Sequence, residues 1–385
     1  LLSDFEPPQR GVIFWPVGTG DSTTVVLNPD TVVQIDLHHE QVAEDDEDPR
    51  VPIVDELVAL LPEGDDGRPY LAAFGATHLD EDHVKGFAEL LDRVNVGDLW
   101  FTPRVLWAQD QDELCEDAKA FVEEAERRIE NMKEHGDVGS GDRIRIFGFS
   151  DDLAEHKDIY KNLPEGSVTV PGSEFHSIDG VDRADVFRAF VHAPFKEDAE
   201  AERNDTSFAL QITLTDGEES VRALLFGDLS YSGVKRIFER SEADDLAWDL
   251  FLAPHHCSKS LMYGKDDGES EDTLKQQILD DLEGSAIAGA YIVVSSGEIP
   301  ATDEPGANPP HRIAANHYEE VVDAGHFLVT DEHAPDPLVF ELDTAGYVLL
   351  DASDVGDGDA STVAKAAAAA SGTASAGHTS AVGFG

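Results

Sequence analysis

An α/β fold is the architecture this sequence predicts, and three observations predict it. Short runs rich in β-branched residues crowd the first third of the chain, strand-like and helix-like segments alternate after them, and several strand-like runs end directly in Asp or His. Residues 12–15, 23–27 and 32–35 read as consecutive strands, parted by the turn-forming strings Gly18-Thr19-Gly20-Asp21 and Asn28-Pro29-Asp30. The third run ends in Asp36 and leads into an acidic loop over 40–48. Apolar spacing over 53–61, with Asp55 and Glu56 near its start, predicts a helix. A strand over 71–74 and a helix over 84–91 follow. A long polar helix is expected over 110–135, with Leu114, Ala118, Phe121, Val122, Ala125 and Ile129 at helical intervals, then a strand over 143–147. We read 102–180 as an insertion at the mouth of the core fold. Strands are expected over 186–191, 207–214, 221–226, 248–253 and 291–295, with a helix over 231–240. Runs 326–330 and 339–342 are expected to close the sheet. One domain, 1–350, thus precedes a tail, 351–385, of Ala, Gly, Ser and Thr. That tail holds too little large apolar surface to offset its ordering entropy and reads as disordered.

The chain has 385 residues, 41% of them hydrophobic, which is enough for a substantial core. Its 80 acidic and 27 basic residues give a formal net charge of −53, spread along nearly every segment. Such a chain repels itself in dilute buffer, and salt screening relieves the repulsion. Dispersed acidity of this kind resembles proteins of salt-loving organisms. Two cysteines, Cys115 and Cys257, are too few for a disulfide framework. The first residues, Leu1-Leu2-Ser3-Asp4-Phe5, lack Met and a basic-then-apolar signal pattern, so a start after an omitted stretch is expected. No apolar run reaches about 18 residues, the length a membrane span needs. A soluble cytoplasmic protein is the expectation.

The most informative segment is Thr77-His78-Leu79-Asp80-Glu81-Asp82-His83, which places four potential metal ligands within six residues, between a strand and a helix. Later runs supply groups this loop lacks. Leu224-Leu225-Phe226-Gly227-Asp228 ends a strand in a carboxylate, and Leu252-Ala253-Pro254-His255-His256-Cys257-Ser258 ends another in paired imidazoles. Ligands presented at successive strand ends converge on one edge of a sheet, as a two-metal site requires.

In these motifs the chain resembles the metallo-β-lactamase-fold hydrolases. Within them it is most similar to the hydrolase domain of the ComEC-like DNA-uptake proteins and their free-standing relatives. Val17-Gly18-Thr19-Gly20-Asp21, the Thr-His-x-Asp-x-Asp-His loop, Asn204-Asp205-Thr206-Ser207, Phe226-Gly227-Asp228 and Pro254-His255-His256-Cys257-Ser258 occur in family order, and Ser295-Ser296-Gly297 with Asn308-Pro309-Pro310-His311 resembles the last motif. The resemblance implies a four-layer αβ/βα sandwich of two mixed sheets with outer helices. It also implies two divalent metal ions, zinc or manganese. His78 and Asp80 would hold the first and Asp82 and His83 the second, with Asp228 bridging. His255 would complete the second site, and His256 would support it or touch substrate. The third motif offers Asn204, with His192 as the alternative ligand. Oxygen-rich ligation of this kind tolerates manganese. Cys257 stands where the family usually has Gly, and reads as a small buried side chain filling that space.

Two cations flanking a water lower its pKa and neutralise charge on a phosphoryl oxygen. Asp228 would orient that water and Asp82 receive its proton. His256 and His311 are candidate donors to the leaving oxygen, and Ser258, Lys259 and Ser260 are candidates for binding an anion. The expected activity is that of a phosphodiesterase or nuclease acting on nucleic acid or a nucleotide. One rival is hydrolysis of a thioester, lactone or β-lactam; Lys259, Lys85 or Arg312 turning away from the site would favour it. Another is an inactive, metal-stabilised binding module. His38 and His39, flanked by acids, read as an exposed loop.

Overall fold

The computed structural model describes residues 5, 7–44, 48, 50–106, 114–136, 138–148, 162–196, 203–266 and 268–350. The expected tail, 351–385, lies outside them. The main strands are, in chain order, β1 (Gly11–Phe14), β2 (Thr23–Asn28), β3 (Thr31–Ile35), β4 (Tyr70–Gly75), β5 (Asn95–Phe101), β6 (Arg143–Phe147), β7 (Val168–Thr169) and β8 (Glu174–Phe175). They continue as β9 (Phe187–Ala193), β10 (Ala209–Asp216), β11 (Glu219–Leu225), β12 (Trp248–Leu252), β13 (Ala286–Val294), β14 (Phe327–Val329), β15 (Leu338–Asp343) and β16 (Gly346–Leu350). The principal helices are α1 (Ile53–Leu60), α2 (Glu81–Val84), α3 (Phe87–Arg93), α4 (Glu116–His135), α5 (Tyr231–Arg240), α6 (Gln276–Ser285) and α7 (Arg312–Val321).

Two mixed sheets result. A nine-stranded sheet runs β16-β15-β1-β2-β3-β4-β5-β6-β7, and a seven-stranded one runs β14-β13-β12-β11-β10-β9-β8. Period-two alternation within single strands explains why they stack. Val12 and Phe14 point into the apolar layer between the sheets, whereas Ile13 and Trp15 point out under α1, α3 and α4. In the second sheet Leu250 and Leu252 face that shared layer, while Phe251 meets Val234 and Ile237 of α5, Leu282 of α6 and Tyr318 of α7. Strands apolar on both faces need cover on both sides, and the helices provide it. The architecture is the expected four-layer sandwich.

The structure departs from the sequence reading in two places. Runs 326–330 and 339–342 do not close one sheet: β14 adds in parallel to β13, while β15 pairs antiparallel with β1 in the opposite sheet. The helix expected over 84–91 is broken into α2 and α3 by Gly86, whose φ of 96° is left-handed and whose missing Cβ leaves room for His39. Within 102–180, β6 pairs in parallel with β5, and α4 buries Phe121, Val122 and Ile129 in the outer core, so these parts extend the sheet and its helical layer. Among the described residues no helix is long and apolar enough to cross a membrane.

Candidate metal centre

The cluster forms where the C-terminal ends of parallel strands from both sheets meet. β3 and β4 are parallel neighbours, so Asp36, just past β3, lies beside the loop that leaves β4. That loop carries His78 and Asp80 into α2, whose first turn bears Asp82 and His83. Across the rim, β11 and β12 are also parallel; Asp228 follows the first and His255-His256 the second. Two backbone features fix these turns. Gly227 has φ 53°, and a Cβ there would approach both Thr77 and Ser207 to 3.0 Å. His255, His256 and Cys257 adopt φ of 49°, 52° and 66° in succession. A left-handed conformation costs a non-glycine residue roughly 1–2 kcal/mol, and such strain accumulates where side-chain direction matters.

Asp228 is the hub. Its Oδ1 lies 3.1 Å from His83 Nε2 and 3.9 Å from His256 Nε2. Its Oδ2 lies 3.8 Å from His78 Nε2 and 3.7 Å from His255 Nε2, and accepts a 3.3 Å contact from Asn204 Nδ2. Asp82 Oδ2 is 3.2 Å from His256 Nε2, and Asp80 Oδ2 is 3.7 Å from His78 Nε2. Three of these imidazoles, His78, His83 and His256, are held from behind through their other nitrogen. His83 Nδ1 donates to Asp36 at 2.8 Å, and Asp36 in turn accepts from the Thr77 amide and hydroxyl. His78 Nδ1 meets the hydroxyls of Thr77 and Ser207, while His256 Nδ1 donates to the Ser295 carbonyl with Asp21 beside it. Such backing leaves each Nε2 lone pair aimed at the shared space.

The residues present fit divalent metal ions. The Nε2 atoms of His78, His83 and His256 and the Oδ1 of Asp228 are buried without a hydrogen-bond partner, a costly arrangement for so many polar atoms unless something ligates them. Two overlapping donor groups, His78 with His83 and Asp228, and Asp82 with His83 and His256, each bring their ligand atoms within 4.8 Å of one another. The mixed imidazole and carboxylate donors suit zinc or manganese. Electrostatics agree. Burial works to raise the Asp228 carboxyl, but the positive charge of His83 and His256 holds it well below the usual range. Burial works against a proton on His83, yet Asp228 and Asp36 push its pKa well above the ordinary value. His256, opposed by burial and favoured by Asp21 and Asp228, rises to about 10. The site is a sink for positive charge.

The remaining expected residues divide between the cluster and other duties. His255, expected in the second metal site, is 29% exposed and sits by Asp228 Oδ2, on the His78 side, while the buried His256 sits between Asp82 and Asp228. His192 is turned elsewhere: Nδ1 meets Ser241 Oγ at 2.8 Å and the ring packs on Phe190 and Phe226. His311 is engaged at both nitrogens, with the Lys259 amide and the Ala307 carbonyl. The Ser258 hydroxyl accepts from the Ser260 amide, capping the short turn that carries Lys259. Lys85 pairs with Glu81, and Arg312 donates to the carbonyls of Ile299 and Pro300. Cys257 is fully buried with its thiol pushed up to about 12 by burial, as a small packing residue should be. His38 and His39, expected in an exposed loop, are both buried, because the short strand Leu37–His38 bridges to Val84 and Lys85 and the His39 amide donates to the Lys85 carbonyl. Sequence reasoning gave no functional part to Asp36, Thr77, Ser207 or Arg203. The last places Nε 3.0 Å from Asp80. Only the strand-terminal position of Asp36 signalled its part.

Neither a protein-family model nor a curated protein matches the chain. Among solved structures it is similar to the Rm3 metallo-beta-lactamase, at 15% identity over 64% of this chain and 76% of that one, with a TM-score of 0.33. It is also similar to the metallo-beta-lactamase SMB-1 bound to 2-mercaptoethanesulfonate, at 12% identity over 65% and 81%, with a TM-score of 0.30. Scores this low carry no argument about function, which rests instead on the geometry of the site.

Proposed function

We propose that this chain is a metal-dependent hydrolase that cleaves phosphodiesters, with two divalent ions held side by side at the rim. One observation carries the reading: the two oxygens of Asp228 face two different imidazole groups, His83 with His256 on one side and His78 with His255 on the other. A carboxylate so placed would link two ions. His78 and Asp80 would serve the first, with the His255 imidazole at its edge. Asp82, His83 and His256 would serve the second, so we assign His256 the ligand role that the sequence suggested for His255. When bound, such ions lower the pKa of a water and neutralise charge building on a phosphoryl oxygen. The chain's own groups do the rest. Asp36 and the Ser295 carbonyl fix the His83 and His256 tautomers, Asp82 at the rim is placed to take a proton, and Asn204 steadies the shared carboxylate.

Nucleic acid or a nucleotide is the proposed substrate, zinc or manganese the proposed ion, and a salt-rich cytoplasm the proposed setting. Elemental analysis and hydrolysis of bis-p-nitrophenyl phosphate with zinc or manganese test the central claim. Two ions per chain with turnover support it; one ion and no turnover reject it. A melting temperature that rises with KCl supports salt adaptation, and one independent of KCl rejects it. A second reading, hydrolysis of a thioester, lactone or β-lactam, is favoured by one observation: Lys85 and Arg312 are committed away from the cluster. Turnover of a lactone or a chromogenic β-lactam in place of the diester would establish it.

A further inference from the structure

The ring of His39 is a buried polar group that the rim leaves unexplained. It is only 8% exposed, and neither of its nitrogens has a hydrogen-bond partner. An imidazole always offers a donor or a lone pair at each nitrogen, so burying one with nothing at either is costly unless a group from outside meets it. The surroundings point to a cation. Nε2 lies 3.7 Å from Glu44 Oε1, at the end of the short turn Gln41–Glu44, and Glu89 of α3 completes a group whose three ligand atoms lie within 4.8 Å of one another. Two donors of one tetrahedral zinc, each about 2.1 Å from the ion, stand about 3.4 Å apart, so the spacing of His39 and Glu44 is close to that of a ligand pair. The backbone is shaped around this ring. The His39 amide donates to the Lys85 carbonyl, and a Cβ on Gly86 would come within 2.6 Å of the His39 Cβ. Arg93 meets one Glu89 oxygen at 2.7 Å and Asp55 at 2.6 Å, and the Glu89 carboxylate has a second oxygen to give.

We infer that His39, Glu44 and Glu89 form a third divalent-cation site, apart from the rim, that takes zinc and ties the segment after Leu37–His38 to α3. Donor type argues for the ion. One imidazole with two carboxylates is a zinc set, and calcium or magnesium would have no use for the nitrogen. Exposure argues for an exchangeable ion. Glu44 and Glu89 are 57% and 45% exposed, so water completes the coordination and gel filtration strips this ion while the buried rim donors keep theirs. Position argues for a structural part. Leu37 and His38 bridge to Val84 and Lys85 at the end of α2, the helix that carries Asp82 and His83, so an ion at His39 fastens the strip of chain lying against that helix. None of its three ligands belongs to the rim, and the inference stands whether or not the chain cleaves a phosphodiester.

The test counts ions without substrate. Gel-filtered protein carrying its rim ions is titrated with zinc chloride by calorimetry, in molar KCl with excess calcium chloride to occupy scattered carboxylates. One further zinc per chain is expected. Glu44→Gln and Glu89→Gln, both at exposed side chains, should each weaken its binding at least tenfold with circular dichroism unchanged, and together should abolish it. His39→Gln should abolish it as well; should that variant fail to fold, the Glu44→Gln/Glu89→Gln double variant decides. Asp228→Asn, which disturbs the rim, should keep the further zinc. Excess zinc should raise the urea midpoint of the wild type and leave that of the double variant where it was. No zinc taken up beyond the rim ions, or uptake equal in wild type and double variant, overturns the site. Uptake lost in Asp228→Asn and kept in the double variant belongs to the rim and overturns it too.

Discussion

The two halves of the centre are built differently. The first sheet delivers its groups from one short loop, four of them within six residues, and secures them by launching α2 directly from Asp80. The second sheet delivers Asp228 and the His255-His256 pair from two strand ends far apart in sequence, and secures them by left-handed backbone at Gly227 and at residues 255–257. The first half is therefore defined by local spacing and the second by tertiary strand pairing. Loss of one ligand should consequently be worst where one residue serves both groups, and mildest where only backbone shape is involved.

Asp228→Asn should be the most damaging change. It should lower phosphodiester turnover by roughly 10³-fold, on the scale of removing a preorganised electrostatic stabiliser, with circular dichroism unaltered. Wild-type rates across a pH series would remove the shared-carboxylate idea altogether. Next comes the imidazole pair. His256→Ala should reduce bound metal from two ions to one and abolish most turnover, whereas His255→Ala should keep both ions and lose less. Elemental analysis decides between them, and the reverse pattern would return the ligand role to His255. Smaller again is Asp36→Asn, which keeps a residue type tolerant of the φ of 56° but alters what His83 Nδ1 meets. A loss of about 10–100-fold in metal affinity is expected, read by competition with a chelator. Smallest is Cys257→Gly. Relief of backbone strain and loss of a small buried side chain oppose each other, so unfolding in urea should shift by less than about 1 kcal/mol. Cys257→Val, β-branched at φ 66°, should cost more than that.

The same contrast explains what the sequence revealed. The strands at Gly11–Phe14, Thr23–Asn28 and Thr31–Ile35 and the helix Tyr231–Arg240 were legible because alternation and helical spacing are local signals. β5, Asn95–Phe101, does not stand out in the sequence although it is an interior strand between β4 and β6 of the first sheet: Gly97 and Asp98 interrupt its apolar pattern. Both have reasons outside the strand. A Cβ on Gly97 would come within 2.6 Å of the Ala72 carbonyl oxygen, and Asp98 accepts from the Asp179 amide at 2.8 Å beside the Arg145 charge. The ligand loop could be read from its own letters. Which imidazole of the 255–256 pair faces Asp82 could not, because the directions are set by successive left-handed residues that no local spacing announces. Asp36 and Ser207 act across 47 and 129 residues respectively, and no spacing rule reaches so far.

Those separations have a consequence for assembly. The contact between Ser207 and His78 closes a 129-residue loop, and the Ser295 hydroxyl, bonded to the Gly20 carbonyl, closes one of 275 residues. Loop-closure entropy grows only with the logarithm of length, so tying such remote points together is cheap once both sheets exist and unattainable before. A nascent chain that has made only the part of the first sheet from β1 to β7 displays the His/Asp loop with no Asp228 opposite it. The centre therefore matures last, and its appearance reports that the two sheets have met.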